Sequence, residues 1–180
     1  MNAMAKGQRF GGCAAALAVA LLAAGCATTP PEATFQKPVV EGRRVDASDT
    51  TSVKVEAGSG VAIQDYEKQR LAANIQNKIN LRKAKYTGSA DPRQYEVQVL
   101  VTRYEKGNAF ARAMLAGLGQ IHVDTHVTVL ALPDREKVAE FDVNKTFAWG
   151  GIYGGTTSVE DVEHGLADGI AQAVTGVQDN

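Results

Sequence analysis

Alternation of apolar and polar residues with a period of two marks the chain as one that contains β-strands with a single buried face. In residues 94–105, for example, Tyr95, Val97 and Val99 fall on one side, and Glu96 falls on the other. Where this alternation recurs we predict strands, at residues 52–57, 94–105, 121–132 and 137–147. Residues 133–136, Pro-Asp-Arg-Glu, have the composition of a tight turn, so the last two strands are expected to form an antiparallel hairpin.

Two other stretches repeat their apolar residues every three or four positions, which is typical of amphipathic helices. The first stripe consists of Tyr66, Leu71, Ile75 and Ile79. The second consists of Val159, Val162, Leu166, Ile170, Val174 and Val177, and it follows a predicted capping box formed by Thr157 and Glu160. We therefore predict a two-layer α+β fold in the order strand, helix, three strands, helix. Its sheet is mixed and mainly antiparallel, with about four strands and both helices on one face.

The first 25 residues have the organisation of a signal peptide. Lys6 and Arg9 precede an apolar run that ends at Ala24, and this run is shorter than the roughly 20 apolar residues of a membrane-spanning helix. The run closes with small residues directly before Cys26, a pattern that resembles the lipobox of bacterial lipoproteins. Secretion through the ordinary signal peptidase, without lipid, is the alternative interpretation.

The lipobox resemblance implies cleavage between Gly25 and Cys26, followed by acylation of Cys26 on its thiol and on its new amino group. The next residue, Ala27, is not Asp, which implies transport to the outer membrane and a position on its periplasmic face. We accordingly expect a lipidated Cys and flexible tether at residues 26–50 and a periplasmic domain at residues 51–180.

The boundary of the tether has an alternative, because Arg43 and Arg44 before Val45 could begin an edge strand. The cysteine count leaves no disulfide in the mature domain, since Cys13 leaves with the signal and Cys26 would carry lipid. Without the signal, 17 basic residues face 20 acidic ones, a net charge of −3. This mild acidity argues against a nucleic-acid partner.

Few residues are candidates for catalysis or metal binding. His122, Asp124 and His126 share one face of a predicted strand, and neighbours at that spacing lie about 7 Å apart, so adjacent members could share a metal ion. His164 lies on the last helix, and a metal-assisted hydrolase using His122, Asp124 and His164 is therefore an alternative function. The glycine-rich residues 150–155 lack the lysine of a phosphate loop, and we expect a mobile loop there. No cofactor is implied.

The connection between the second and third strands carries a family resemblance. Its Gly-Asn pair, a following Arg and a Gly-x-Gly pair resemble those of a family of bacterial lipoproteins called domain of unknown function 4410. The matching residues are Gly107, Asn108, Arg112, Gly117 and Gly119. The resemblance covers about residues 51 to 177 and implies no activity.

Within this connection, residues 109–118 are apolar apart from Arg112. They form either a buried connection or short helix that packs on the sheet, or an exposed element that meets a partner or a lipid surface. Arg112 would then form either a satisfied structural pair or a contact to an acidic group.

The leading hypothesis is a non-enzymatic outer-membrane lipoprotein whose domain binds another envelope protein or a glycan. A self-assembling component of a secretion apparatus is a further alternative, and the oligomeric state is open.

Overall fold

The fold is a mixed β-sheet covered on one face by helices. The computed structural model of the chain describes residues 30–115, 118–148 and 151–176. Its strands are β1 (Glu32–Lys37), β2 (Thr50–Ala57), β3 (Gln94–Glu105), β4 (Ile121–Leu132) and β5 (Glu136–Phe147). In the described residues they form one sheet in the order β1-β5-β4-β3-β2.

Strand pairing confirms the predicted mixed sheet and the β4–β5 hairpin. β2 runs parallel to β3, with Val53 opposite Val97, and all other neighbours are antiparallel. The parallel pair requires a crossover, which the first helix provides. The end of the sheet at which β3 and β5 finish, and which carries the β3–β4 connection, is called the lobe end. The end that carries the β4–β5 turn is called the hairpin end.

The sheet has one strand more than predicted. The additional strand, β1, lies within residues 26–50, the segment predicted as a tether, and it pairs antiparallel with β5. Phe35 of β1 packs against Phe141 with ring centroids 5.2 Å apart. The ordered domain therefore begins well before residue 51. Residues 41–43 form a short 3₁₀ turn, and Val45 is buried rather than part of an edge strand.

Four helices accompany the sheet in the described ranges: α1 (Asp65–Lys83), α2 (Ala109–Met114), α3 (Gly151–Thr156) and α4 (Val159–Thr175). The long helices α1 and α4 pack against each other and against one face of the sheet. Leu71, Ile75, Leu166 and Ile170 are fully buried there with the inner side chains of β3, β4 and β5. This is the predicted two-layer arrangement, in which each helix buries its apolar stripe.

Three local predictions differ from the structure. Tyr66 belongs to the predicted inner stripe of α1 but is 61% exposed, because it lies five residues before Leu71, a spacing that turns it away from the buried side of the helix. The capping box of α4 is formed by Ser158 and Asp161, one residue later than predicted. The last residue of the predicted inner stripe of α4, Val177, lies outside the described residues.

The glycine-rich segment before α4 is predicted to be a mobile loop, yet residues 151–156 form helix α3. This short helix packs against α2, and a side chain of α2 donates a hydrogen bond to one of its carbonyl groups, as described below. Tertiary contacts thus override the low helix propensity of its glycines. None of the helices in the described part of the chain is long and apolar enough to cross a membrane.

Candidate functional site

The predicted metal-ligating residues lie on the polar face of the sheet. His122, Asp124 and His126 alternate with fully or nearly fully buried residues of β4 and point away from the helices. His126 contacts two carboxylates, Asp142 at 2.7 Å and Glu140 at 3.2 Å. Burial raises the pKa of Asp124.

The hydrolase arrangement is contradicted by this placement. His164 is exposed on α4, which covers the opposite face of the sheet from His122 and Asp124. A single metal ion cannot be reached from both faces, because the sheet separates them. Among the described residues, no group of three or more His, Cys, Asp or Glu side chains is arranged to hold a metal ion.

The β3–β4 connection, residues 106–120, is instead the most distinctive local structure. Asn108 caps α2 by accepting a 3.0 Å hydrogen bond from the backbone amide of Ala111. The backbone amide of Asn108 donates to the carbonyl oxygen of Gly119, and this hydrogen bond closes the connection at its base. Gly107 and Gly119 both have positive φ angles, 63° and 68°. A Cβ atom on Gly107 would lie only 2.2 Å from the Gly119 carbonyl oxygen, so this crossing requires glycine.

Arg112 holds the connection together from inside. Its side chain is only 3% exposed. The guanidinium donates to four backbone carbonyl oxygens: those of Gly119 and Lys106 in the connection, Gly154 in α3, and Thr157 before α4. Arg112 therefore has the structural role of the two that were predicted, although backbone carbonyl groups and not a paired side chain satisfy it. Burial lowers the pKa of Arg112, but an arginine keeps its charge at physiological pH.

The outer surface of this connection is apolar and exposed, in agreement with the predicted alternative of an exposed element. Four large side chains project from it: Phe110 is 75% exposed, Met114 67%, Leu115 55% and Leu118 54%. We call these four residues the apolar lobe. They lie within nine positions of the chain, whereas other exposed large apolar residues, such as Leu81 and Val40, are scattered. Grouped exposure of this kind is typical of a contact surface.

A network of buried charges lies beneath the base of the lobe. Glu163 of α4 is fully buried and receives two hydrogen bonds from Arg70 of α1, at 2.8 and 2.9 Å, and one from the Tyr104 hydroxyl group at 2.6 Å. Hydrogen bonding to Glu163 raises the pKa of Arg70. Burial, followed by the contact with Glu163, raises the pKa of Tyr104 well above its ordinary value.

A second buried carboxylate belongs to the same network region. Glu67 in the first turn of α1 is 2% exposed and lies 2.7 Å from the ammonium group of Lys106, the first residue of the connection. Burial alone would raise the pKa of Glu67. Hydrogen bonds from the backbone amide of Gln64 and from Lys106 outweigh this effect and lower the pKa. The base of the lobe is thus bound to both long helices.

The burial of Glu67 and Glu163 is not predicted by sequence reasoning, which favours the polar side of a helix for a glutamate. The helical spacing does contain the signal, because Glu163 lies four residues after Val159 and three before Leu166, which puts it on the inner stripe. Glu67 likewise lies four residues before the buried Leu71.

Some predicted site residues cannot be placed. Gly25 and Cys26 of the cleavage and lipidation site, and Gly117 of the interaction segment, lie outside the described residues. The remaining members of that segment, Gly107, Asn108, Arg112 and Gly119, come together at the base of the lobe.

Solved PelC structures share this fold at low sequence identity. A PelC dodecamer from Paraburkholderia phytofirmans is similar with a TM-score of 0.52 and 12% identity, over 82% of this chain and 100% of that one. A PelC variant dodecamer from the same organism also gives 0.52, with 10% identity over 80% and 98%. Protein XCC0632 from Xanthomonas campestris, of the DUF330 family model, gives 0.39 and 14%, over 79% and 88%.

No curated protein matches the chain. One family model, described as Domain of unknown function (DUF4410), matches residues 38–151, which include β2 to β5, α1 and the whole lobe connection. The match covers more than half of the chain and confirms the resemblance carried by the Gly-Asn, Arg and Gly-x-Gly residues. The chain therefore belongs to the family of the domain of unknown function DUF4410.

Proposed function

We propose that this chain is a non-enzymatic lipoprotein of the bacterial envelope, anchored in the outer membrane through acylated Cys26. Its α+β domain at the periplasmic face serves interaction or assembly. The observation that carries the proposal is the apolar lobe, an exposed surface that Arg112 fixes rigidly to the scaffold. A lobe that served only to fill the core would bury Phe110 and Leu118 instead of presenting them to solvent.

The buried titratable groups support a structural rather than a catalytic use of this region. Glu163, Arg70 and Tyr104 bond to one another beneath the lobe, and Arg70 also pairs with Glu160 at 3.1 Å. The Tyr104 hydroxyl group donates to Glu163 at 2.6 Å, and burial raises its pKa above an ordinary value that already keeps it protonated at neutral pH, so it serves here as a hydrogen-bond donor.

Cell fractionation of two cysteine variants tests the anchor. Cys26→Ala removes the thiol that would carry lipid, so we expect this variant to lose acylation and to leave the outer-membrane fraction. Cys13→Ala changes the other cysteine, which departs with the signal, and this control should fractionate like the unchanged protein. An outer-membrane location that is the same for all three proteins would contradict the anchor.

Self-assembly is a second candidate, in line with the similarity of the fold to PelC, whose structures are dodecamers. Within the described sheet, β1 and β2 each pair with a single neighbour, so their outer edges are open to another chain. Mass photometry of the full protein in detergent would measure the oligomeric state. A discrete oligomer supports assembly, and a monomer at every concentration contradicts it.

A further inference from the structure

The position at which the chain enters the domain restricts how a lipid anchor can hold it. β1 begins at Glu32, which pairs with Asn144 of β5, and Asn144 pairs in turn with Asp124 of β4. β1 is antiparallel to β5, so β1 begins on the side of the lobe end and runs toward the hairpin end.

The distances from Glu32 to the two ends of the sheet decide which end Cys26 can reach. Glu32 lies six positions after Cys26, and a fully extended chain of that length spans at most about 20 Å. Three steps along β5, from Asn144 to Phe147, lead from the level of Glu32 to the lobe end, a rise of about 10 Å. Eight steps along β4, from Asp124 to Leu132, lead to the hairpin end, a rise of about 27 Å. An acyl group on Cys26 can therefore reach a bilayer beside the lobe end, whereas a bilayer beside the hairpin end is out of its range.

The lobe is the surface that this short anchor would bring to the bilayer. We propose that the apolar lobe enters the leaflet that holds the acyl chains of Cys26, so that the protein is attached at two points. This inference rests on the proposed lipid anchor. The glycerophospholipid bilayer is the occupant that the anchor selects, because the apolar side chains lie at the end of the sheet that is nearer to the start of β1 and within reach of Cys26.

The chemistry of the lobe favours the apolar part of the bilayer over its headgroups. The charged residue of α2, Arg112, is buried and already bonded to four carbonyl oxygens, so it offers no free donor to a phosphate group. Lys106 at the base of the lobe is engaged by Glu67 at 2.7 Å. Insertion should therefore depend on burial of Phe110, Met114 and Leu118, and it should change little with salt or with the fraction of anionic lipid.

A depth measurement on the lipidated full protein tests this inference. The mature chain is expected to hold no cysteine other than the lipidated Cys26, so one introduced cysteine can be labelled selectively with a polarity-sensitive dye. Met114→Cys places the dye on the lobe. Leu81→Cys is the matched control, because Leu81 is 68% exposed against 67% for Met114. It lies near the end of α1 at the hairpin end, where Lys83 reaches the carbonyl oxygen of Asp49 just before β2.

Both labelled proteins are reconstituted in phosphatidylcholine vesicles, with and without bromine atoms on the acyl chains. Bromolipid should quench the dye at position 114, whose emission should also lie at shorter wavelength, and it should leave the dye at position 81 unchanged. In the Met114→Cys background, Phe110→Ser with Leu118→Ser should abolish the quenching, since each apolar side chain removed weakens insertion by about tenfold or more. Leu81→Ser in that background should leave the quenching intact.

Flotation of the vesicles separates the two proposals. Protein that floats with the vesicles but shows no quenching at position 114 would overturn lobe insertion and leave the anchor in place. Protein that does not float would overturn both. A blue shift at position 114 without bromolipid quenching, together with crosslinks between copies through that position, would identify a second copy of the chain as the occupant and would also overturn insertion.

Discussion

The guanidinium Nη1 atom of Arg112 lies 2.8 Å from the carbonyl oxygen of Gly119, across the base of the β3–β4 connection. The same side chain reaches the carbonyl oxygens of Gly154 and Thr157, which belong to the segment before α4. One buried cation thus joins two segments that are distant in sequence. The shape of the apolar lobe depends on this junction, because its own side chains point outward and contribute little to the core.

Replacing Arg112 should destabilise the protein strongly. Arg112→Lys supplies one compact ammonium group in place of a planar donor that reaches four carbonyl oxygens, and several of these would remain unsatisfied. We expect a loss of about 2–4 kcal/mol in the free energy of unfolding, measured by chemical denaturation. Arg103→Lys is the control, because Arg103 is 43% exposed in its side chain and pairs with Glu105 on the surface. Equal stability of the two variants would contradict the bridging role of Arg112.

The two ends of the connection cross closely at Gly107, so Gly107→Ala should destabilise the protein more than Gly60→Ala does. In Gly107→Ala the new Cβ would lie 2.2 Å from the Gly119 carbonyl oxygen, and the residue would also keep a positive φ angle of 63°. Gly60 has a similar φ angle of 77°, but a Cβ atom at this position would meet nothing within 4 Å, so Gly60→Ala isolates the cost of the backbone angle.

We expect Gly60→Ala to lower the free energy of unfolding by about 1 kcal/mol and Gly107→Ala to lower it by roughly 3 kcal/mol or more. Thermal and denaturant unfolding of both variants would measure the difference. If the two substitutions cost the same, the close approach of Gly107 and Gly119 does not exist in solution.

Glu96 should make the stability depend on pH in the acid range. It lies on the polar face of the sheet, 5% exposed, with Lys54 at 2.7 Å and Arg135 at 3.0 Å. The hydrogen bond from Lys54 is the largest cause that lowers the pKa of Glu96 to about 2. The folded pKa is below the unfolded one, so the stabilisation is complete above about pH 4.5 and is lost as the pH falls toward 2.

The loss of stability from Glu96 amounts to at most about 3 kcal/mol, because both partners are themselves more than half exposed in their side chains. Glu96→Gln should lower the stability at neutral pH and flatten its decline between about pH 4.5 and 2. Denaturant unfolding across this range would measure the slope. An unchanged slope in the variant would show that Glu96 is not the group responsible.

Sequence periodicity predicts the elements whose burial is regular. The alternating residues of β3, β4 and β5 and the stripes of α1 and α4 pack as expected, since their apolar side chains face a continuous core. β1 escapes prediction because an edge strand buries little: most of its residues are exposed, although Ala33 and Phe35 pack toward the core.

The candidate site can be predicted in its location but not in its construction. The apolar run with its bounding glycines identifies the lobe, whereas the partners of Arg112 are backbone carbonyl groups that no side-chain pattern records. Helix α3 escapes prediction for the same reason, because its Gly154 carbonyl group is bonded by a residue about 40 positions earlier in the chain. Taken alone, its glycines predict a loop.

The mass of the intact mature protein, purified from membranes of the cells that produce it, tests the central claim most directly. We predict a chain that starts at Cys26 and carries the added mass of a diacylglyceryl group and an amide-linked acyl chain on that residue. A mature chain with an unmodified Cys26, or one that begins at any other residue, would contradict the anchor and the orientation of the lobe that depends on it.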